Sequence, residues 1–331
     1  MAPDLRQQLG DMGWYALALP EGAGGSGLSA VEFALFFREV GRQCGPLDVL
    51  AQCLAAMTVA DEPLRSEITC GAVGVALAVT DGDGLRIFGS KAATYALLVS
   101  RDEAKLIALD GVSAENRPSL DPSTSMRLAG ANANAIALRS GEYVWQMGQL
   151  ATAAQLVGIS EAALDQIVEY AKVRETFGKK IGSWQAVRHP CADMAVRLEA
   201  ARSQLWFAAT AIKEGRSDAG AHLDAAKHLA NLAAAANTDS NIQLHGGIGV
   251  TDEHHAHLYM KHALVLISQR LPETARIVST VHDEVVVECA EETAEFCKHI
   301  ITTAMVEAMA DLFPEVPVEV EANICNSWAE K

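Results

Sequence analysis

The sequence predicts a mainly α-helical protein with a small β-domain in its middle and a short α+β segment at its C-terminal end. Three observations predict this. Apolar residues recur at helical spacing up to residue 66, the period shortens to brief β-type runs over residues 67–141, and long alanine- and leucine-rich stretches occupy residues 142–268. We therefore divide the chain into a helical N-terminal domain (1–66), a β-domain (67–141), a helical bundle (142–268) and a C-terminal fragment (269–331).

The N-terminal domain is predicted to contain three helices. The first covers "PDLRQQLGDMGWYALAL", and the glycine-rich stretch "PEGAGGSGLS" then ends it. Ser29 can cap the second helix, "AVEFALFFREVGRQ", because Glu32 stands three positions later and completes a capping-box pattern. The third helix lies around "DVLAQCLAAMTVA".

The β-domain is predicted to be antiparallel. Its β-type runs are short and are separated by glycine and aspartate. Asp81-Gly82 and Asp110-Gly111 are dipeptides typical of hairpin turns.

The bundle is predicted to contain long antiparallel helices, as in a four-helix bundle, because stripes of small residues permit close helix packing. Pro190 interrupts one of these helices. Two motifs here suggest ligand chemistry, "RETFGKKIGSWQ" and "QLHGGIGVTDEHHAHLYMKHA". Arg174 offers a forked cation suited to a pyrophosphate, Gly246-Gly247 allows close backbone approach, and the amides of Gln185 and Gln243 suit a ribose or adenine edge. A solvated arginine and an ordinary glycine turn are the simpler interpretations.

Both motifs, together with "ALALPEGAGGSGLSAVEFALFFREVGR", resemble the acyl-CoA dehydrogenase family over roughly residues 4–266. The resemblance implies a helical N-terminal domain, a middle β-domain and a C-terminal helical bundle. It also implies an FAD-dependent oxidation of acyl-CoA thioesters at the α,β-carbons. The family residues that hold the adenine–pyrophosphate side of FAD, typically that of a neighbouring subunit, correspond here to Arg174, Phe177, Gln185, Gln243, Gly246 and Gly247.

The sequence departs from the family at the catalytic base, which is a glutamate that removes the α-proton. The two positions used for it fall on Gly148 and Arg270, and no motif assigns the role to Glu142, Glu253 or Glu273. Family stretches that face the flavin ring are also largely missing. We therefore predict no catalytic residue in this chain.

This combination resembles the auxiliary subunit of heteromeric acyl-CoA dehydrogenases of sterol side-chain breakdown, in which a partner subunit carries the base. The leading hypothesis is a flavoprotein subunit that completes the FAD site of a second dehydrogenase subunit, in a heterotetramer that acts on an acyl-CoA thioester. One alternative is an active homomeric dehydrogenase that has an atypical base. The other is a catalytically inactive scaffold that dimerises through its bundle.

The histidine-rich stretch "DEHHAHLYMKH" contains His254 and His257, an i, i+3 pair that a metal could use. No further ligand spacing supports a metal site, and the family resemblance accounts for the stretch as a helix near the flavin. His189 has no partner that the sequence indicates. We predict no metal site.

The C-terminal fragment contains "ARIVSTVHDEVVVECAEE", a predicted hairpin with Asp283 and Glu284 at its turn. Carboxylates on a turn can hold Mg²⁺, although a solvated acidic turn is the simpler interpretation. Residues 269–331 resemble the palm end of family-A DNA polymerases, where Asp283 would be one of two metal-binding carboxylates. The second carboxylate and the nucleotide-binding helix are missing, so we predict no polymerase activity and interpret the chain as a fusion near residue 268.

The composition excludes several classes of protein. A net charge of −16, from 26 basic and 42 acidic residues, argues against a nonspecific grip on nucleic acid. Apolar runs are too short for a membrane span, and the N-terminus lacks the apolar core of a signal peptide. The seven cysteines show no framework spacing, which indicates reduced thiols and predicts a cytoplasmic protein.

Overall fold

The structure is a computed structural model that describes residues 1–81, 84–121, 124–130, 135–138, 142–251, 253–268, 275–281 and 284–289. The chain forms two compact units, Met1–Gln269 and Arg270–Lys331. The predicted class, mainly helical with a small β-domain, is confirmed by the larger unit. Within the described residues, no helix is both long and apolar enough to cross a lipid bilayer.

Four helices open the chain: α1 (Pro3–Asp11), α2 (Ala30–Arg42), α3 (Asp48–Thr58) and α4 (Glu62–Thr69). The predicted first helix is too long, because Gly13 adopts a left-handed conformation (φ 75°) and a short 3-10 turn follows it. The capping box of α2 is confirmed. The Ser29 hydroxyl accepts from the backbone of Val31, and Glu32 accepts the Ser29 backbone N–H at 2.9 Å. Asp61 caps α4 in the same manner by accepting the N–H of Leu64.

The β-domain is a mixed sheet of seven described strands in the order β5-β6-β2-β1-β3-β4-β7. The strands are β1 (Val75–Asp81), β2 (Gly84–Phe88), β3 (Tyr95–Val99), β4 (Ala104–Ala108), β5 (Ala114–Arg117), β6 (Met126–Gly130) and β7 (Ala135–Leu138).

The predicted pairing of the strands is partly wrong. The hairpin of β1 and β2 is confirmed, since Asp81 pairs with Gly84, but β1 and β3 run parallel and the sheet is not purely antiparallel. The Asp110-Gly111 signal marks a turn in which Gly111 has φ 72°, yet β4 and β5 lie on opposite sides of the sheet. A dipeptide determines only the local turn, whereas the strand that pairs with a given strand depends on how the apolar residues of the whole strand are buried.

Both faces of this sheet are buried. Val75, Leu77 and Leu97 point into the core shared with the helices, and Ala76 and Ile87 point into a smaller core on the opposite face. This alternation follows from the period of two along a strand. The larger core therefore continues without a break from the β-domain into the helices.

The bundle contains α5 (Glu142–Val173), α6 (Gln185–Lys213), α7 (Ala219–His245) and α8 (Ala256–Ser268). A tight hairpin of β8 (Glu175–Thr176) and β9 (Lys179–Lys180) follows α5. The first of these helices is buried on all sides over most of its length, so it is the centre of the bundle. Helix α6 continues through Pro190 without a break.

Helices α2 and α5 are close enough for backbone contact. A Cβ atom on Gly41 would lie 2.1 Å from the carbonyl oxygen of Gln155, and one on Gly158 would lie 2.0 Å from that of Arg38. Only glycine fits at either position. The glycine pair thereby fixes the N-terminal helices against the centre of the bundle.

In the C-terminal unit, β10 (Ala275–Val281) and β11 (Glu284–Cys289) form an antiparallel pair, which confirms the predicted hairpin. Asp283, one of the two candidate Mg²⁺ ligands of its turn, lies outside the described residues, and so do Arg270 and Glu273, whereas Glu284, the other candidate, is the first residue of β11. The helix and strand predicted after residue 290 lie outside them as well.

Candidate functional site

Three helix ends that carry the sequence motifs meet at one end of the bundle. Helices α5 and α7 both finish there and α6 begins there, because α6 runs antiparallel to its neighbours. The ring of Tyr170, in the last turn of α5, stacks on the ring of His245, the last residue of α7, at 4.4 Å between centroids. All six residues predicted to bind FAD therefore lie at this end.

The segment after α5 presents Arg174 to solvent. Its carbonyl accepts the N–H of Ile181 at 2.9 Å, which closes the β8–β9 hairpin. Phe177 at the hairpin tip is 95% exposed and adopts φ 52°, and Gly178 follows with φ 74°. An exposed phenylalanine in a strained conformation is rare, and such strain often occurs at functional sites. Among the described residues, no ion pair or side-chain hydrogen bond involves the guanidinium of Arg174.

The N-terminus of α6 lies next in the chain. Trp184 is its N-cap and supplies no side-chain hydrogen bond, and Gln185 is its exposed first residue. The free N–H groups of the first turn and the positive end of the helix dipole favour an anion. The Lys179 ammonium lies 5.6 Å from the Trp184 ring centroid and adds positive charge beside this turn.

The turn after α7 is open to solvent. Gly246 has φ 66° and ψ −150°, a conformation that L side chains rarely adopt, and it ends the helix. No atom lies within 4 Å of the Cβ position of either Gly246 or Gly247. A ligand can therefore contact this backbone directly. Gln243, one turn earlier, is exposed on the same helix end.

A stack of three rings supports this turn. His254 lies 4.3 Å from the ring of His245, which in turn lies on Tyr170. Nδ1 of His245 is 2.7 Å from the carbonyl oxygen of Asn241, so the N–H at this position donates to that oxygen. Burial lowers the pKa of His245, and its Coulombic interaction with His254 lowers it further, although the hydrogen bond to Asn241 raises it. Burial also lowers the pKa of His254, so both rings are neutral at pH 7.

Sequence reasoning missed this stack. The motif "QLHGG" predicts ligand contact through Gln243 and its glycines, and the histidines downstream suggest either metal ligands or a helix near the flavin, so neither pattern predicts stacked rings. A signal was present, because Tyr170 stands four residues before Arg174 and His245 directly precedes Gly246. Within the part of the chain that the structure describes, no three His, Cys, Asp or Glu side chains converge as a metal site would require.

The position of the missing base is tightly packed. Gly148 is buried in α5, and a Cβ atom there would lie 3.2 Å from Cδ1 of Leu54 in α3. Leu54, Met147 and Leu150 are themselves at most 3% exposed. A carboxylate at this position would replace apolar contacts. Glu142 and Glu253, two other acidic residues considered for the role, are exposed.

Comparisons with known proteins agree with this arrangement. A model of the acyl-CoA dehydrogenase N-terminal domain matches residues 1–66, and a model of the C-terminal domain matches residues 143–267. The acyl-CoA dehydrogenase IpdE2 of Mycobacterium tuberculosis is 32% identical over 255 residues, which cover 76% of this chain and 77% of IpdE2. The chain belongs to the acyl-CoA dehydrogenase family. The family resemblance inferred from the two bundle motifs is thereby confirmed.

Two further similarities refine the family relationship. The acyl-CoA dehydrogenase FadE34 of Mycobacterium tuberculosis is 34% identical over 276 residues, but the match spans only 38% of FadE34. A solved variant of the Tcur3481-Tcur3483 steroid ACAD superposes with a TM-score of 0.69 at 26% identity and covers 81% of this chain and 84% of its own. This chain is therefore similar to acyl-CoA dehydrogenases that include a steroid enzyme.

The C-terminal resemblance is also confirmed. A model of DNA polymerase family A matches residues 255–330. The match begins at the start of the stretch "HAHLYMKHALVLIS", which contains α8 at the end of the bundle. It therefore starts earlier than the predicted junction near residue 268.

Proposed function

We propose that this chain is the non-catalytic subunit of a heteromeric acyl-CoA dehydrogenase and that it completes the FAD site of a partner subunit. The observation that carries the proposal is the packing at Gly148. The position that would hold a base is a glycine closed off by Leu54, while the turns at the end of the bundle are exposed and open. The chain thus retains groups suited to a cofactor but not the group suited to proton removal.

The residues at the bundle end fit the pyrophosphate and adenine part of FAD. The guanidinium of Arg174 would bind the phosphates in a bidentate manner, and the first turn of α6 would add backbone donors. The Gly246-Gly247 turn would admit the dinucleotide against its backbone, while Gln185 and Gln243 would offer amides to its polar edges. Phe177 would pack on the cofactor or on the partner subunit, because its side chain is 95% exposed.

FAD, when bound, supplies the hydride acceptor for oxidation of the acyl-CoA thioester. The α-proton would be removed by a carboxylate of the partner subunit, and the role of this chain would be to hold the far end of the cofactor. We propose a steroid-type acyl-CoA thioester as substrate, on the basis of similarity to the Tcur3481-Tcur3483 steroid ACAD. The complex would operate in the cytoplasm with its thiols reduced.

Substitution of Arg174 tests the proposal. The chain is co-expressed with a full-length acyl-CoA dehydrogenase that has a glutamate at the base position, and flavin bound to the purified complex is measured by absorbance. Loss of one bidentate contact of ~1.5–3 kcal/mol predicts about 10- to 150-fold weaker FAD binding for Arg174→Ala. Arg101→Ala, which changes an exposed arginine that pairs with Asp224 near the start of α7 and therefore at the opposite end of the bundle, is the matched control and should bind FAD normally. Equal FAD affinity in both variants would contradict the proposed role.

A further inference from the structure

The ring stack of Tyr170, His245 and His254 closes a loop that carries the Gly246-Gly247 turn. We call residues 246–251 the glycine loop, which His245 directly precedes and His254 follows three residues later. The two imidazole rings lie 4.3 Å apart between centroids, so the chain meets itself on both sides of the loop. The turn itself is open to solvent, and the ring stack is a contact that holds the two sides together.

The glycine loop also packs on the end of α7. Gly249 is buried, and a Cβ atom there would lie 2.6 Å from the carbonyl oxygen of Ile242 and 3.0 Å from the Cβ of His245. The hydroxyl of Thr251 donates to the carbonyl of Ile248 at 2.9 Å, which keeps the loop compact. The position of the His245 ring and the path of the glycine loop therefore depend on each other.

The hydrogen bonds of His245 require a neutral ring. Its Nδ1–H donates to the carbonyl of Asn241, and the Asn241 amide donates in turn to Gln166 of α5 at 2.8 Å. The other ring nitrogen, Nε2, is buried and has no hydrogen-bond partner among the described residues. A second proton there would be a buried donor without an acceptor, which is costly. The ring at the start of the glycine loop is therefore held in one tautomer.

His254 also makes a hydrogen bond that requires a neutral ring. Its Nδ1 accepts the backbone N–H of Ala256, the first residue of α8, at 3.2 Å. The proton of the neutral ring is therefore on Nε2, and a second proton would enter at Nδ1 and remove the acceptor. It would also place a positive charge at the N-terminus of α8, where the helix dipole favours anions. Protonation of His254 thus removes the cap of α8 and adds charge beside the ring of His245.

The titratable groups near His254 come from α5, α7, α8 and its own segment: Tyr170, His245, His257, Glu253 and His255. Burial lowers the pKa of His254, and its Coulombic interaction with His255 lowers it further. Glu253 is the acidic member of this group, but it is exposed and no ion pair joins it to His254. The Tyr170 ring centroid lies 6.2 Å away, beyond the ~6 Å reach of a cation–π contact. None of these five groups therefore stabilises a proton on His254.

We propose that His254 is a positioning residue, which holds the glycine loop in its cofactor-binding form while its ring is neutral and releases the loop when the ring takes up a proton. The inference rests on the proposed function, because the Gly246-Gly247 turn is the part of the site that would admit the dinucleotide. Opening of the loop binds a proton, so the loop is held above the ordinary histidine value of ~6.5 and is released as the pH falls below it. Mild acid would thus weaken FAD binding through this chain, whatever the partner subunit contributes.

The first test follows the imidazole of His254 by NMR during a pH titration of the full chain, purified alone. Its signals are identified by their loss in His254→Phe. His254 should titrate below pH ~6.5, and the backbone amide signals of Gly246 and Gly247 should shift with the same midpoint in the wild type but not in His254→Phe. A higher midpoint, or glycine signals that do not follow His254, would overturn the proposal. This measurement requires no flavin.

The second test measures the FAD affinity of the complex with a full-length acyl-CoA dehydrogenase, by flavin absorbance in equilibrium dialysis at pH 7.5 and pH 5.5. The wild type should bind FAD about 3- to 10-fold more weakly at pH 5.5, since one proton is taken up. His254→Phe keeps an aromatic ring that takes up no proton, so its affinity should be equal at the two pH values.

Two further variants separate the ring from its neighbours. His254→Asn keeps an acceptor for the Ala256 N–H but lacks the ring, so it should bind FAD about 2- to 10-fold more weakly than the wild type at pH 7.5. His255→Gln, at the exposed histidine next in the chain, is the matched control and should keep the wild-type dependence on pH.

The outcomes separate this inference from the proposed function. An FAD affinity that is equal at both pH values in the wild type, or that falls equally in His254→Phe, would overturn the positioning role of His254 and leave the proposed function intact. A complex that holds no FAD at pH 7.5 would overturn the proposed function, and the role of His254 with it.

Discussion

Placing a glutamate at position 148 perturbs the chain where its family carries a catalytic base. Gly148→Glu would direct a carboxyl group at Leu54, whose Cδ1 lies 3.2 Å from the new Cβ position. The neighbouring Met147 and Leu150 side chains are fully buried and offer no polar partner. We therefore expect the substitution to destabilise the fold and to confer no dehydrogenase activity on the chain alone.

The cost depends on pH because the buried carboxyl group would take up a proton. At pH 7, protonating a glutamate whose pKa in the unfolded chain is ~4.3 costs about 3.7 kcal/mol, at 1.36 kcal/mol per pH unit. Burying the neutral acid without a partner adds ~1–3 kcal/mol, and removing a helical glycine returns about 0.5–1 kcal/mol. The net loss is therefore ~4 kcal/mol or more at pH 7 and about 2.7 kcal/mol less at pH 5.

Thermal unfolding at the two pH values measures this effect. A loss of ~4 kcal/mol lowers the Tm by about 6 °C in a chain of 331 residues, because the entropy of unfolding is about 2.1 cal/mol/K per residue. The difference in Tm between variant and wild type should shrink as the pH falls. The folded variant holds the new carboxyl group protonated because burial raises its pKa, and protonating this group costs less free energy at lower pH. Gly148→Ala is the control, and it should change stability by less than ~1 kcal/mol. A Gly148→Glu variant with the Tm of the wild type at both pH values would refute the packed site.

Three further predictions concern stability. Ser29→Ala removes the capping box of α2 and should cost ~1 kcal/mol, seen as a lower Tm, whereas Ser26→Ala in the preceding loop should have no effect. Glu161 is buried and forms an ion pair with Arg202 at 2.9 Å, so Glu161→Gln should lower the free energy of unfolding by about 2 kcal/mol, as measured by urea denaturation. The loss is smaller than for a fully buried ion pair because Arg202 keeps part of its hydration. The pKa values of His245 and His254 in the folded chain lie below the unfolded value of about 6.5, so the unfolded chain binds more protons and the stability should fall from pH 7 to pH 5. His254→Gln should make the stability depend less steeply on pH. An unchanged dependence on pH would exclude the ring stack as its source.

The helices were predictable because their signals are local. The capping pattern of Ser29 and Glu32 and the alanine-rich repeats of α5 to α7 act within a few turns, and the structure contains helices at all of these places. The parallel pairing of β1 with β3 was not predictable, because it depends on which strands bury both faces together. Gly111 illustrates the difference between local and long-range signals, since the turn at Gly111 is predictable from the dipeptide and the pairing of the strands on either side of it is not.

The candidate site shows the same division. The sequence located the six candidate residues through two motifs, and the antiparallel bundle explains why segments about 60 residues apart reach the same end. It did not indicate that Leu54, from a helix almost 100 residues earlier, closes the position of Gly148. The contact between α3 and α5 joins two segments that are far apart in the chain, and such contacts leave no pattern within either segment.

The flavin content of the chain, alone and with a partner, tests the central claim most directly. The chain is purified alone and as a complex with a full-length acyl-CoA dehydrogenase, and the FAD absorbance is divided by the protein concentration. We predict no stoichiometric FAD on the chain alone and FAD in the complex, together with oxidation of an acyl-CoA thioester by the complex only. Stoichiometric FAD and acyl-CoA oxidation by the chain alone would contradict the account.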